Sequence, residues 1–255
     1  MKTLLNQLRF DSKRLIVRSL SFFFFSILMP AGFYVLFTKV MLVGGSSVQQ
    51  QQFAKTYMGS MIVYSILISA IFGIASILKR DRDQGLLVFL SLAPKGTLPY
   101  YISVFICILG INLGAVVVLG VLAVFLNHVS LSANQWFNII GLVILCQIPL
   151  LLIGTAMSFI KRQETLSVVS NLVTFPMAVV SGLWWPINML PNWLQTIGKL
   201  TPTYFANNTL SQVLTNGTVD LKNVGGVLAW LGLGVALVIL MAKRTASKGV
   251  VLDHG

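Results

Sequence analysis

A chain of 255 residues that is 56% hydrophobic and only 9% charged cannot hydrate the surface of a soluble globule, which usually needs about a quarter of its residues charged. The charge it carries is lopsided, with 18 Lys and Arg against 6 Asp and Glu and a net charge of +12. Nucleic acid is nevertheless excluded as a partner, because the basic residues fall in short clusters between long apolar runs, as orientation signals of an integral protein of the lipid bilayer do.

In chain order, residues 1–18 come first. At 100° per residue, Leu4, Leu5, Leu8, Ser12, Leu15 and Ile16 share one face, while Lys2, Arg9, Lys13 and Arg14 fall opposite. A basic amphipathic helix before an apolar run suits the membrane surface. The run itself, Ser19–Thr38, is too long for a cleavable leader and reads as a retained span with a kink at Pro30. The stretch Val43–Lys55, "VGGSSVQQQQFAK", reads as a flexible linker, and Tyr57–Leu78 as the second span.

The connection that follows, "LKRDRDQGLLVFLSLAP" from Leu78 to Pro94, alternates charges up to Gly85 and then turns strongly apolar. It is too short to span, and apolar side chains facing water need cover from the bundle or from a partner's groove. Leu98–Leu126 is a third span long enough to tilt, and Trp136–Ile160 a fourth. A fifth, Leu166–Leu183, is interrupted at Pro176. From Trp184 to Asn208 the chain reads "WWPINMLPNWLQTIGKLTPTYFANN", too broken to cross twice and too apolar for a plain loop. Trp and Tyr favour the headgroup level, and Pro186 and Pro191 suit helix starts, so a re-entrant hairpin with short helices is expected. Val224–Met241 is the sixth span, and residues 245–255 form a tail.

Fourteen Lys and Arg then fall in the N-terminal segment, the second-to-third and fourth-to-fifth connections and the tail. Only Lys39, Lys55, Lys199 and Lys222 fall on the other side, which puts both termini in the cytoplasm. Cys107 and Cys146 lie inside apolar runs and read as buried free thiols.

Little chemistry is offered. The one Gly-Lys pair, Gly198–Lys199, is followed by leucine and has no phosphate-binding loop around it, so any ATPase would be a separate polypeptide. The only histidines are His128 and His254, and no acidic residue falls inside a span, which leaves no catalytic residue, cofactor site or metal site to name. An ion-coupled carrier would want ionisable groups near the midplane, where the chain offers only Asn112, Gln147 and Asn171. Gly110 and Gly114 form a G-x-x-x-G, equally suited to internal packing and to a subunit seam.

The order of these features resembles a type-2 ABC transporter permease. The resemblance rests on the basic N-terminal helix, six spans and "KRDRDQGLLVFLSLAP", with Gln84 where that family usually has Glu. After the fifth span come Ser181, Gly182, Trp185, Pro186, then Leu190, Pro191, Trp193, Leu194, Gln195 and "LTPTYF" at Leu200–Phe205. It implies an all-α membrane protein with an interfacial helix over 1–18 and a six-span domain over 19–244. Within that domain it implies a cytoplasmic coupling helix in 79–94 and an external re-entrant hairpin in 184–208. It further implies two copies of an ABC ATPase subunit, which would hold ATP and Mg, contacted by Arg82, Asp83, Gly85, Leu86 and Phe89. A second permease subunit, identical or homologous, and an outer gate shaped by Trp185, Pro186, Pro191 and Trp193 complete the picture. The expected activity is export of a hydrophobic or amphipathic cargo (a drug, an antimicrobial peptide or a lipid) across a plasma membrane, in a bacterium. The rivals are a non-transporting scaffold or immunity protein and an ion-coupled carrier.

Overall fold

Two Ser-x-x-Gln boxes decide where two of the longest helices begin. The hydroxyl of Ser46 accepts from the Gln49 backbone N–H at 3.4 Å while the Gln49 side chain accepts from the Ser46 N–H at 3.3 Å. Ser132 and Gln135 repeat the arrangement at 3.2 and 2.9 Å. Each box satisfies two of the donors a helix start leaves unpaired. The computed structural model describes residues 7–14, 22, 24–41, 46–93 and 96–251, and among these all regular structure is helical.

We number the helices in chain order: α1 (7–14), α2 (Phe24–Met41), α3 (Ser47–Asp83), α4 (Leu86–Ser91), α5 (Leu98–Asn127) and α6 (Ala133–Met157). There follow α7 (Gln163–Val180), α8 (Asn192–Gly198), α9 (Pro202–Asn216) and α10 (Leu221–Val251). Five helices are long and apolar enough to cross a membrane: α2, α3, α5, α6 and the Leu221–Arg244 part of α10. The expected fifth span corresponds to α7, whose 18 residues open on Gln163 and Glu164 and which does not meet that standard.

Several boundaries differ from expectation for local reasons. Ser47–Lys55 is helix and not linker, because the Ser46 box caps it and glutamine is a good helix former. Pro176 does not interrupt α7, nor does Pro149 interrupt α6. Pro30 sits where a π-helical turn, Phe24–Leu28, passes into α-helix, a position where the ladder is already broken. The expected interfacial helix is described only over 7–14; residues 1–6 and 15–18 lie outside the described residues.

The bundle is built around α3. Of its most apolar window 89% is buried, against 11% for α10, so α3 is the central post and α10 a peripheral one. At 1.5 Å per residue its 37 residues reach about 55 Å. Midway, at Ser69–Ile74, it widens into a π turn. There α6 comes so close that a Cβ on Gly154 would stand 2.0 Å from the Ala70 carbonyl oxygen, so only glycine fits. Alongside, the Ser69 hydroxyl donates to the Asn112 side chain at 2.9 Å, and the Asn112 amide donates to Gln147 at 3.0 Å. This buried polar chain ties α3, α5 and α6 together, as interhelical hydrogen bonds do in apolar surroundings. Gly110, by contrast, has open space around its Cβ position, and Gly114 meets only the end of Ile27.

Candidate functional site

One end of α3 carries the charges. Extending its buried stripe, Ile71, Ile74 and Leu78, by one more turn lands on Asp81, whose side chain is fully buried. Arg14 of α1 grips that carboxylate with two parallel N–H donors at 3.0 and 2.6 Å, and the Tyr100 hydroxyl of α5 donates to it at 2.5 Å. Asp11 reinforces the group, 3.4 Å from Arg14 and accepting from Gln7 at 2.9 Å. Burial by itself lowers the Arg14 pKa, and the adjoining Asp81 more than reverses this, so the guanidinium stays charged. A charge-assisted fork of this kind fixes geometry as well as energy. It clamps α1 to the end of the central post.

The next turn of α3 is held from the other side. Arg82 donates to the Ser158 carbonyl at 2.6 Å and to its hydroxyl at 3.3 Å, and lies over the Phe159 ring at 4.1 Å. Lys79 pairs with Asp83. The charged run and the apolar run, both within the 79–94 segment expected to hold a coupling helix, belong to two separate helices. Gly85 stands at φ +72°, a conformation that costs a residue with a Cβ, and it ends α3 and opens α4. The six residues of α4 are all at least partly exposed. Leu86, Leu87 and Leu90 lean on the bundle, while Val88, Phe89 and, just after the helix, Leu92 face outward at 69, 74 and 82% exposure.

Of the residues expected to meet a partner here, Gly85 and Phe89 are on the outward elbow and Asp83 is half exposed at its rim. Arg82 and Leu86 are engaged within the chain. Sequence reading put Arg14 on the polar face with Arg9 and Lys13; the structure turns it inward.

Among the described residues the opposite end holds no such buried ionic cluster. It is aromatic. Gly182, at φ +79°, turns the chain out of α7. Trp184 then packs against Phe33, Tyr64 and Phe175 with ring centroids 5.5, 5.6 and 5.9 Å away, joining α2, α3 and α7. Pro186 caps a 3-10 turn, Ile187–Met189, and Pro191 caps α8. A Cβ on Gly198 would meet the Val180 carbonyl oxygen at 1.9 Å, so α8 lies directly on the end of α7. The Thr201 hydroxyl caps α9, accepting from the Tyr204 N–H at 3.2 Å, and α9 then buries Ala206, Leu210, Val213 and Leu214. Of the four residues expected to shape a gate, Trp185 and Pro186 share one cavity wall; Pro191 and Trp193 lie outside it, Trp193 65% exposed. The aromatic that joins the helices is Trp184, which was not among the residues expected to shape the gate.

Between the two ends, α2, α3 and α7 enclose an apolar cavity of about 440 Å³ lined by Phe25, Met29, Ile68 and Phe175, with Asn171 and Thr174 as polar points. A second cavity, about 500 Å³, continues toward the charged end and reaches Arg80, Asp83, Gln84 and Gln163. The two share Phe22, Phe72 and Ser76.

Residues 7–215 match the family model described as ABC-2 type transporter. The chain is 28% identical to the "Putative transport permease YvfS" of Bacillus subtilis (strain 168) over 225 residues, which is 87% of this chain and 90% of that protein. Shorter similarities link it to the "Linearmycin resistance permease protein LnrN" of the same organism and to "ABC transporter G family member 20" of Dictyostelium discoideum. The first is 26% identical over 37% of this chain and 26% of that protein. The second is 29% identical over 46% of this chain and 17% of that protein.

Proposed function

The chain belongs to the ABC-2 type transporter family, and from that premise we propose that it is the membrane-spanning half of an ATP-driven exporter. Two copies of a separate ABC ATPase, holding ATP and Mg, drive a pair of such permeases, identical or homologous. In this reading α7 is the sixth crossing, in addition to the five long apolar helices, and both termini lie in the cytoplasm of a bacterial cell. The charged end of α3 then faces the ATPase, and the aromatic end faces outward.

The observation that carries this reading is the elbow of α3 and α4. An apolar tip of Val88, Phe89 and Leu92 stands exposed just beyond the end of α3, the most buried of the long apolar helices. Apolar side chains so exposed call for a groove to cover them. Force applied to this tip passes directly into α3, because the Arg14–Asp81 fork and the Arg82–Ser158 contact hold the adjoining turns to the bundle. Movement of packed helices as rigid bodies is how such force would open a pathway. The joined cavities beside α2, α3 and α7 suit a hydrophobic or amphipathic cargo such as a drug, an antimicrobial peptide or a lipid. That one relative is named a resistance permease agrees with this. Export is the proposed direction. An ion-coupled carrier is less well supported, because Asn112 and Gln147 hydrogen-bond to one another.

Substitution at the elbow tests the reading. Phe89→Asp places a charge on the outward face, and Gly85→Pro demands a φ near −65° where the chain needs a positive one. With the ATPase co-expressed, each variant is expected to insert normally and to lose ATPase co-purification by at least about tenfold, about 1.4 kcal/mol of association. Undiminished co-purification with both variants would overturn the proposed coupling.

A further inference from the structure

At the aromatic end, apart from the two joined cavities, lies a third of about 330 Å³ between α3, α9 and the turn after α7. Its wall is unlike theirs. Among the described residues no charged one lines it, as none lines the 440 Å³ cavity, but here aromatic rings alternate with several amides and hydroxyls, among them Tyr57, Ser60, Trp185, Tyr204, Asn207 and Asn208. Asn207 is fixed in place: it accepts from the Ser60 hydroxyl at 3.0 Å and donates to the Gly182 carbonyl at 3.4 Å. Tyr57 is only 4% exposed and stacked on Phe53 with ring centroids 5.3 Å apart, so it supplies a fixed apolar part of the wall.

We propose that this cavity is a binding site for a neutral, hydroxyl-rich ring, of which a pyranose sugar is the type. The volume is at the low end of ligand cavities and suits one such ring. A sugar has an apolar face for the Trp185 and Tyr204 rings and several hydroxyls for the amides. Each amide offers donors and an acceptor, as a hydroxyl array requires. The absence of charge in the wall disfavours phosphate, carboxylate and ammonium ligands, which need a partner when desolvated. That the site faces the outside rests on the orientation proposed above; binding itself does not.

The test uses the full chain in lipid nanodiscs free of sugar detergents, with methyl β-D-glucopyranoside as probe and its charged counterpart, methyl β-D-glucuronide, as control. Saturable binding of the glucoside by saturation-transfer NMR, at least tenfold weaker for the glucuronide, is expected. Asn208→Leu and Asn188→Leu, which each remove an amide from the wall, are each expected to weaken it at least fivefold. Neither variant removes an internal hydrogen bond, so the melting temperature should hold or rise. Phe89→Asp should bind as well as the parent, which separates failure here from failure of the ATPase reading. Discs containing a glucosyl diacylglycerol assign the source: competition with the soluble glucoside points to a lipid headgroup, its absence to a free sugar. No saturable binding, equal binding of the glucuronide, or insensitivity to both variants would overturn the site.

Discussion

The two ends of α3 are fixed by different physics. At the charged end, position is set by a few strong directional contacts, chiefly two guanidinium–carboxylate bonds and one phenol–carboxylate bond around a fully buried Asp81. At the other end, position is set by area and contact: Trp184 among three rings, and Gly198 against a carbonyl oxygen. Both ends leave apolar side chains uncovered, Val88, Phe89 and Leu92 at the charged end and Met189, Trp193 and Leu200 at the aromatic end. A short-range ionic clamp holds an angle, which in the proposed function suits an element that transmits force. The tilted and edge-to-face rings around Trp184 are less directional, which in the same proposal suits a part that rearranges.

The largest effect is expected where the clamp is broken on one side only. Asp81→Ala leaves Arg14, 12% exposed, with only Asp11 at 3.4 Å and should cost about 3 kcal/mol, because a largely buried charge then loses its main partner. The double replacement Arg14→Met with Asp81→Leu, made together with Asp11→Asn so that no buried carboxylate is left without its cation, should recover most of that loss. Thermal unfolding of the two variants in the same discs measures it. If the single variant is as stable as the combined one, α1 is not clamped by charge and the contrast between the ends fails.

At the aromatic end the corresponding cut is Trp184→Ala. Loss of a large ring from a packed cluster costs about 3–5 kcal/mol when it is fully buried, and Trp184 is half-buried, so a loss of about 2–3 kcal/mol is expected. Here no second substitution of opposite sign restores stability, since there is no partner charge to remove. Rescue by Trp184→Phe, which keeps most of the apolar area, is the informative control.

Much of this was legible before the structure. The apolar runs located the long helices, and α5 begins at Leu98 as expected, because Pro99 marks a first turn. What the runs could not reveal was which face each helix buries, since a helix apolar all round carries no stripe to read. At the end of α3 the spacing of Ile74, Leu78 and Asp81 continues the buried stripe, but the sequence reading took from this stretch only its alternating charges. The Ser46 box was hidden by its Gly-Ser setting, although Gln49 three residues on was the signal. Gly85 was noticed as a junction, yet only the backbone shows that it separates two helices.

The smallest effect sharpens the comparison most. Trp193 lies nine residues after Trp184 and is as large, and it stood among the residues expected to shape the gate while Trp184 did not. It is 65% exposed, and no close ring pair is found for it among the described residues. Trp193→Ala should therefore change unfolding stability by no more than about 0.5 kcal/mol, the range of an ordinary surface substitution. The same change should reduce partition into lipid, because an exposed indole at the headgroup level is an interfacial anchor. Equal losses from the two tryptophans would mean that the hairpin is held as a sheet of rings on the membrane. Unequal losses, with membrane affinity and folding stability moving separately, would mean that one tryptophan packs the protein and the other touches the bilayer.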